Sequence, residues 1–234
     1  MLRNSDRQWL AEHYPNLSAE SDDKIFGEVI FTATYNEESG RFLQITPEVT
    51  DGVGGLCLSG SFRISIETRT VFNHSRLPAL TIEGVDPVPD RHINISDGSA
   101  CMCNPLEEDE YSEPYFNFQR FFGELVIPFL YGQLYFSREG RWPWFDYAHG
   151  GLGTIEAFSK NPTAEKATDC IQRISKEIVL WRIVKPLLLQ EVGIKGHIMC
   201  PCPKHDYLRR CHPMALKGLR LLRETIRKHS IQLP

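Results

Sequence analysis

The chain has 234 residues, 41% of them hydrophobic and 24% charged, more than one minimal domain needs and less than two full-sized ones at about 150 residues each. That apolar content, with aromatics at 11%, can bury a core and excludes wholesale disorder. The net charge of −4 conceals an asymmetry, because from Lys204 onward eight Lys/Arg stand against only Asp206 and Glu224.

The opening MLRNSDRQWLAEHY has no uninterrupted apolar stretch for a secretory leader. The most apolar later run, ELVIPFLYGQLYF, is broken by proline and glycine and is too short to span a bilayer. The expectation is a cytoplasmic protein without a membrane partner.

In chain order, Asp6 to about Ser18 reads as a short helix carrying Trp9, Leu10 and Tyr14. Strands follow at Lys24–Tyr35 and Gly40–Val49, joined by the turn-forming Asn-Glu-Glu-Ser-Gly, and at Ser61–Glu67, where Phe62, Ile64 and Ile66 alternate with polar residues. After Leu77-Pro78 the run ALTIEGV supplies another, and together they read as an antiparallel meander. From Glu113 the period becomes helical, with Tyr115, Phe116, Phe118, Phe121, Phe122, Leu125, Val126 and Phe129 on a buried rod that Pro128 should kink. Ala164–Gln190 reads as one long helix facing a core through Ile171, Ile174, Ile178, Trp181, Ile183 and Val184, and Met214 to about His229 as a last, basic helix. The layout is α+β, a meander packed against helices, with a core over 1–160 and a helical extension over 161–234. The basic terminal helix reads as a solvated face, so nucleic acid is not an expected partner.

Seven cysteines without a secretory leader point to catalysis or metal binding rather than a disulfide framework. Cys57 and Cys170 are isolated, Cys101 and Cys103 form a C-x-C pair, and Cys200, Cys202 and Cys211 crowd beside His212. The stretch Asp90-Arg-His-Ile-Asn-Ile-Ser-Asp-Gly-Ser-Ala-Cys-Met-Cys103 has no periodicity, as expected of a functional loop on a rigid scaffold. It brings a thiol, a carboxamide and an imidazole within ten residues. These suffice for acyl transfer through sulfur, with Cys101 attacking an activated carbonyl and an Asn94 N–H stabilising the oxyanion.

The order His92-x-Asn94 followed by Gly98-Ser99-Ala100-Cys101, after a strand that follows Leu-Pro, resembles the signature of ubiquitin-conjugating (UBC-fold) enzymes. It looks most like their bacterial relatives in antiphage (CBASS-type) operons. The resemblance covers roughly residues 6 to 160 and is carried mainly by this segment, with Gly140-Arg-Trp-Pro-Trp-Phe145 also similar to the bacterial branch. Ile93 stands where the eukaryotic pattern has proline, and Met102-Cys103-Asn-Pro replaces the usual Leu-Asp continuation. The resemblance implies a UBC-like core in which Cys101 accepts a partner's C-terminal carbonyl as a thioester, Asn94 stabilises the oxyanion and His92 braces the loop. It also implies that the partner is the C-terminal tail of a cGAS-like nucleotidyltransferase, a cyclic-nucleotide synthase.

Neighbouring residues have two readings each. Cys103 is either a small core residue or a second thiol able to pair with Cys101 or a metal. His149, in a glycine-bearing loop, is a loop brace or a base for Cys101. Asp97 is a turn residue or a holder of an incoming amine. Trp142 and Trp144 read as core, and Glu107-Glu-Asp-Glu110 as a solvated acidic loop.

In the tail, Cys200-Pro-Cys202 and, eight residues on, Cys211-His212 place three thiols and an imidazole in the pattern tetrahedral zinc takes, with His197 and His205 in reserve. The spacing resembles the SEC-C motif, a short zinc-binding tail. Tyr207 and Arg209-Arg210 are in place, and Pro203-Lys204-His205 stands where Gly-Ser-Gly is usual. Four ligands with no spare position imply a structural zinc. Gly52-Val-Gly-Gly55 lacks the Lys-Ser/Thr of a phosphate loop, so activation of a carboxylate falls to a separate activating enzyme, or the chain captures an already reactive C-terminus. Two rivals use the same residues: a cysteine hydrolase with His92 or His149 as base, and a non-enzymatic adaptor.

Overall fold

The computed structural model describes residues 2–21, 23–46, 54–67, 77–112, 115–204 and 206–234. The chain forms two compact units, one of residues 1–103 and 108–146, the other of 104–107 and 147–234. The boundary falls at Asp146/Tyr147 rather than at 160, because helix α5 (Gly151–Phe158) buries its whole length among residues of the later helices.

In the first unit, α1 (Asn4–His13) precedes β1 (Leu17–Ala19), β2 (Lys24–Asn36), β3 (Arg41–Ile45), β4 (Leu56–Glu67) and β5 (Ala79–Ile82). The sheet is antiparallel, as expected, but it is not a meander. β4 pairs directly with β2 from Lys24↔Glu67 to Tyr35↔Leu56, and β3 lies on the other side of β2, on the same edge as β1. Two strands of 13 and 12 residues form a longer ladder than the 5-residue β3 can offer. Alternation then buries Ile25, Val29, Phe31, Ala33, Ile64, Ile66 and Leu80 on one face. Gly60, on that same face, is where a helix comes closest: a Cβ there would stand 2.8 Å from Leu134 Cδ1.

After the one-turn α2 (Asp109–Ser112), the rod against this face starts at α3 (Phe118–Phe121), passes through a π-turn at Phe122–Val126 and continues as α4 (Ile127–Glu139). The Ile127 N–H bonds back to the Phe122 carbonyl, an i→i+5 closure just before Pro128, which has no N–H to give. Phe118, Phe121, Phe122, Phe129 and Tyr131 are buried, and the Tyr131 hydroxyl donates to the Leu56 carbonyl at 2.7 Å. Burial pushes that phenol up to about 12. Trp142 is buried and Trp144 packs against the same core, as the sequence suggests.

In the second unit, the single helix expected over Ala164–Gln190 is two, α6 (Ala164–Ile174) and α7 (Ile178–Leu189). Buried positions step regularly through Ala167, Cys170, Ile171 and Ile174, then jump to Leu180, Val184 and Leu188, so one straight helix cannot keep both sets inward. Ile178 and Ile183, expected inside, are exposed. The one-turn α8 (Leu208–Cys211) leads into α9 (Pro213–His229). Gly218 of α9 lies where a Cβ would meet the Ile155 carbonyl oxygen of α5 at 2.1 Å. Arg223 and Arg227 donate to the Gln190 carbonyl and Arg220 to that of Ile194; part of the basic tail caps the end of α7 and its following loop. Among the described residues no helix is long and apolar enough to cross a membrane.

Candidate active site and candidate metal centre

The cysteine segment continues the sheet. Thr81 of β5 bridges Ser99, the Ala100 N–H donates to the Leu80 carbonyl at 2.7 Å, and Ile93 bridges Ala100. Residues 92–101 therefore form a small hairpin on the sheet edge, closed by Asn94 N–H to the Ser99 carbonyl (2.8 Å) and Cys101 N–H to that of His92 (2.7 Å). Strand parity sorts the side chains. Ile93 is buried and Ala100 packs on the core, so His92, Asn94, Ser99 and Cys101 fall on the opposite face. Gly98, at φ +70°, supplies the left-handed residue of the turn.

On that face Cys101 is exposed, and its thiol donates to Asn94 Oδ1 at 3.8 Å. The Asn94 Nδ2 donates to Ser99 Oγ (2.9 Å), whose hydroxyl donates in turn to Asp97 Oδ1 (2.7 Å). The carboxamide thus turns its oxygen toward the sulfur and commits an N–H elsewhere, the reverse of the resting orientation expected for an oxyanion donor. Although Cys101 has open surface, the chain crowds its sulfur, and this desolvation pushes the thiol pKa up. The Glu108 carboxylate, and to a smaller extent that of Asp97, push the same way.

His92 braces the hairpin. It is one of two non-glycine residues at positive φ (53°) among those described, and its Nε2 lies 2.9 Å from Asp146 Oδ1. Its ring meets Trp142 edge-on at 4.9 Å. The carbonyls of the two preceding residues are also held, Asp90 by Trp142 Nε1 (2.8 Å) and Arg91 by the buried Gln133 Nε2 (2.6 Å). Cys103 is half-buried and packs against the core near Tyr111, and the position reads as packing. Glu108 is buried, not part of a solvated acidic run, and His149 belongs to the second unit. Asp146, Ser99 and Glu108 escape a reading of the sequence. Only Ser99 carries a signal there, its place two residues before Cys101 in an extended segment.

The tail brings together the four residues expected. Cys200, Cys202, Cys211 and His212 place one ligand atom each within 4.8 Å of one another, an arrangement that could hold a metal ion. Cys200 Sγ lies 3.2 Å from His212 Nδ1, and Cys202 Sγ 3.2 Å from Cys211 Sγ. The scaffold is local. Met199 bridges Tyr207, the Cys200 N–H donates to the Asp206 carbonyl, and Cys211-His212 ends α8. His197 is exposed and outside the cluster, while His205 and Gly52-Val53 lie outside the described residues.

Comparison with known proteins returns no matching family, no matching curated protein and no matching solved structure.

Proposed function

We propose that the protein is a cysteine-dependent acyl transferase of the ubiquitin-conjugating type, with a UBC-like core and a structural zinc in its tail. The observation that carries this reading is the exposed Cys101 thiol sharing one hairpin face with Asn94, 3.8 Å from its carboxamide oxygen. The sulfur attacks the carbonyl carbon of an activated C-terminus. The activating group leaves with the bonding pair, the thiol proton passes to solvent, and a thioester remains. For Asn94 to support the tetrahedral oxyanion its amide must turn, because at rest it presents oxygen to the sulfur. His92 and Asp146 hold the hairpin while this happens. The reading rests on the hairpin and not on strand order, which departs from a meander.

The proposed acyl donor is the C-terminal tail of a cGAS-like nucleotidyltransferase in antiphage defence, activated by a separate enzyme, and the proposed setting is the cytoplasm. In the tail, three thiolates and one imidazole are the donor set of tetrahedral zinc, whose ligand atoms stand about 3.5–4 Å apart at Zn–S and Zn–N lengths of about 2.3 and 2.0 Å. The cluster already has that scale. Zinc there ties the Cys200–Cys202 turn to α8.

Co-expression with the synthase and its activating enzyme, followed by intact-mass spectrometry, tests the reading. The expected product is an adduct equal to the partner minus water, sensitive to thiols, lost in Cys101→Ala and converted to a longer-lived oxyester in Cys101→Ser. A thiol-sensitive adduct that survives Cys101→Ala overturns the assignment. Release of free tail from a preformed conjugate would favour a hydrolase.

A further inference from the structure

We infer that Ser99 and Asp97 are positioning residues that lock the Asn94 carboxamide with its oxygen toward Cys101. The geometry leaves little choice about direction. The Asp97 carboxylate only accepts, and its Oδ1 receives both the Ser99 backbone N–H (2.9 Å) and the Ser99 hydroxyl (2.7 Å). With its single proton committed to Asp97, the Ser99 oxygen can only accept from Asn94, which sends Nδ2 to Ser99 at 2.9 Å. A planar carboxamide with nitrogen on that side must put oxygen on the other, where the Cys101 sulfur lies at 3.8 Å.

The result is a one-way chain in which Cys101 donates to Asn94, Asn94 to Ser99 and Ser99 to Asp97. An acceptor facing a thiol favours its protonated form, whereas an N–H facing it would favour the thiolate. Among the described residues the carboxylates that act on the sulfur are Glu108 and Asp97 themselves, both against the thiolate, and His92 and Asp146 pair with each other beside the hairpin. The lock therefore adds to burial and to the two carboxylates in favouring the resting thiol over the thiolate. The link to acyl transfer rests on the transferase reading, but the orientation of the amide does not.

The test is the pH profile of Cys101 alkylation by iodoacetamide, followed by peptide mass spectrometry on the full chain. Ser99→Ala removes the lock without changing charge. The expected result is a half-point at lower pH and alkylation at pH 7 about threefold faster, because the freed amide can turn an N–H to the sulfur. Ser99→Thr, which keeps the hydroxyl, should restore the original profile. A Ser99→Ala profile superimposing on that of the unmodified protein overturns the proposal. Should Ser99→Ala fail to fold, the unmodified protein decides. One Asn94 side-chain amide hydrogen should be slowed in solvent exchange by NMR relative to the other, and equal fast exchange of both overturns the lock. If the lock is confirmed and no thioester forms, the transferase reading fails alone. If a thioester forms while both lock measurements are negative, the positioning role fails alone.

Discussion

Two groups of cysteines in this molecule sit on short hairpin-like segments and meet different neighbours. At residues 92–101 one thiol stands exposed beside a carboxamide, while the next cysteine in sequence, Cys103, packs against the core. At residues 199–212 three sulfurs and a ring nitrogen converge within 4.8 Å. The fate of sulfur is decided by what the backbone brings to meet it. Alternation on a two-stranded edge selects one outward sulfur and its polar neighbours, whereas a turn followed by a one-turn helix gathers four ligands toward a point.

The sharpest way to break this contrast is to remove one member from each group. Cys211→Ser should abolish stoichiometric zinc in the purified protein, measured by elemental analysis, and lower the melting temperature of the second unit by the largest margin of any substitution considered, since binding of a structural metal contributes to folding directly. Cys101→Ser should leave both zinc content and melting unchanged. Equal effects of the two would mean that the cysteines are not specialised.

Next in size is a test of how firmly the hairpin's support is packed. Gly132→Ala would place a Cβ 2.0 Å from Trp142 Cζ3, and an overpacked core of this kind costs about 3 kcal/mol, readable by urea denaturation. The second unit offers a milder counterpart. Arg223→Ala removes donors to the Gln190 and Glu191 carbonyls and should cost about 2 kcal/mol, with hydrogen exchange accelerated around residues 190–194. The smallest effect concerns Cys101 itself. Its raised thiol pKa means that alkylation near pH 8 should be slower than for a free cysteine peptide, and unfolding in denaturant should remove the difference. Because the folded chain keeps this proton after the unfolded chain has released it, the group's contribution to stability declines as pH rises above the ordinary thiol range.

Much of the architecture is legible in the sequence where period and burial agree. The alternation of Ile64 and Ile66 and the phenylalanine-rich rod are examples, and both lie in the core. The start of β4 was hidden because Ser59-Gly60 reads as a turn, whereas Gly60 is required where Leu134 approaches the strand. The break between α6 and α7 was hidden because Ile178 continues the apolar pattern while facing solvent. Strand order was not legible at all, since pairing partners depend on the length of competing ladders and not on either strand alone. The Cys200, Cys202, Cys211 and His212 cluster could be found from spacing, because turns and short helices are local. The sense of the Asn94 amide could not, as it depends on which of two oxygens near Ser99 lacks a proton.

The two carbonyls held just ahead of the hairpin, Asp90 by Trp142 and Arg91 by Gln133, give the sulfur a fixed footing on the interior. A pull on the exposed tip at Ile95 would be resisted at a buried indole and a buried amide, not passed on to the surface loops. Cys101 sits like a tooth set in bone, so a load applied from outside would not shift the direction of its side chain.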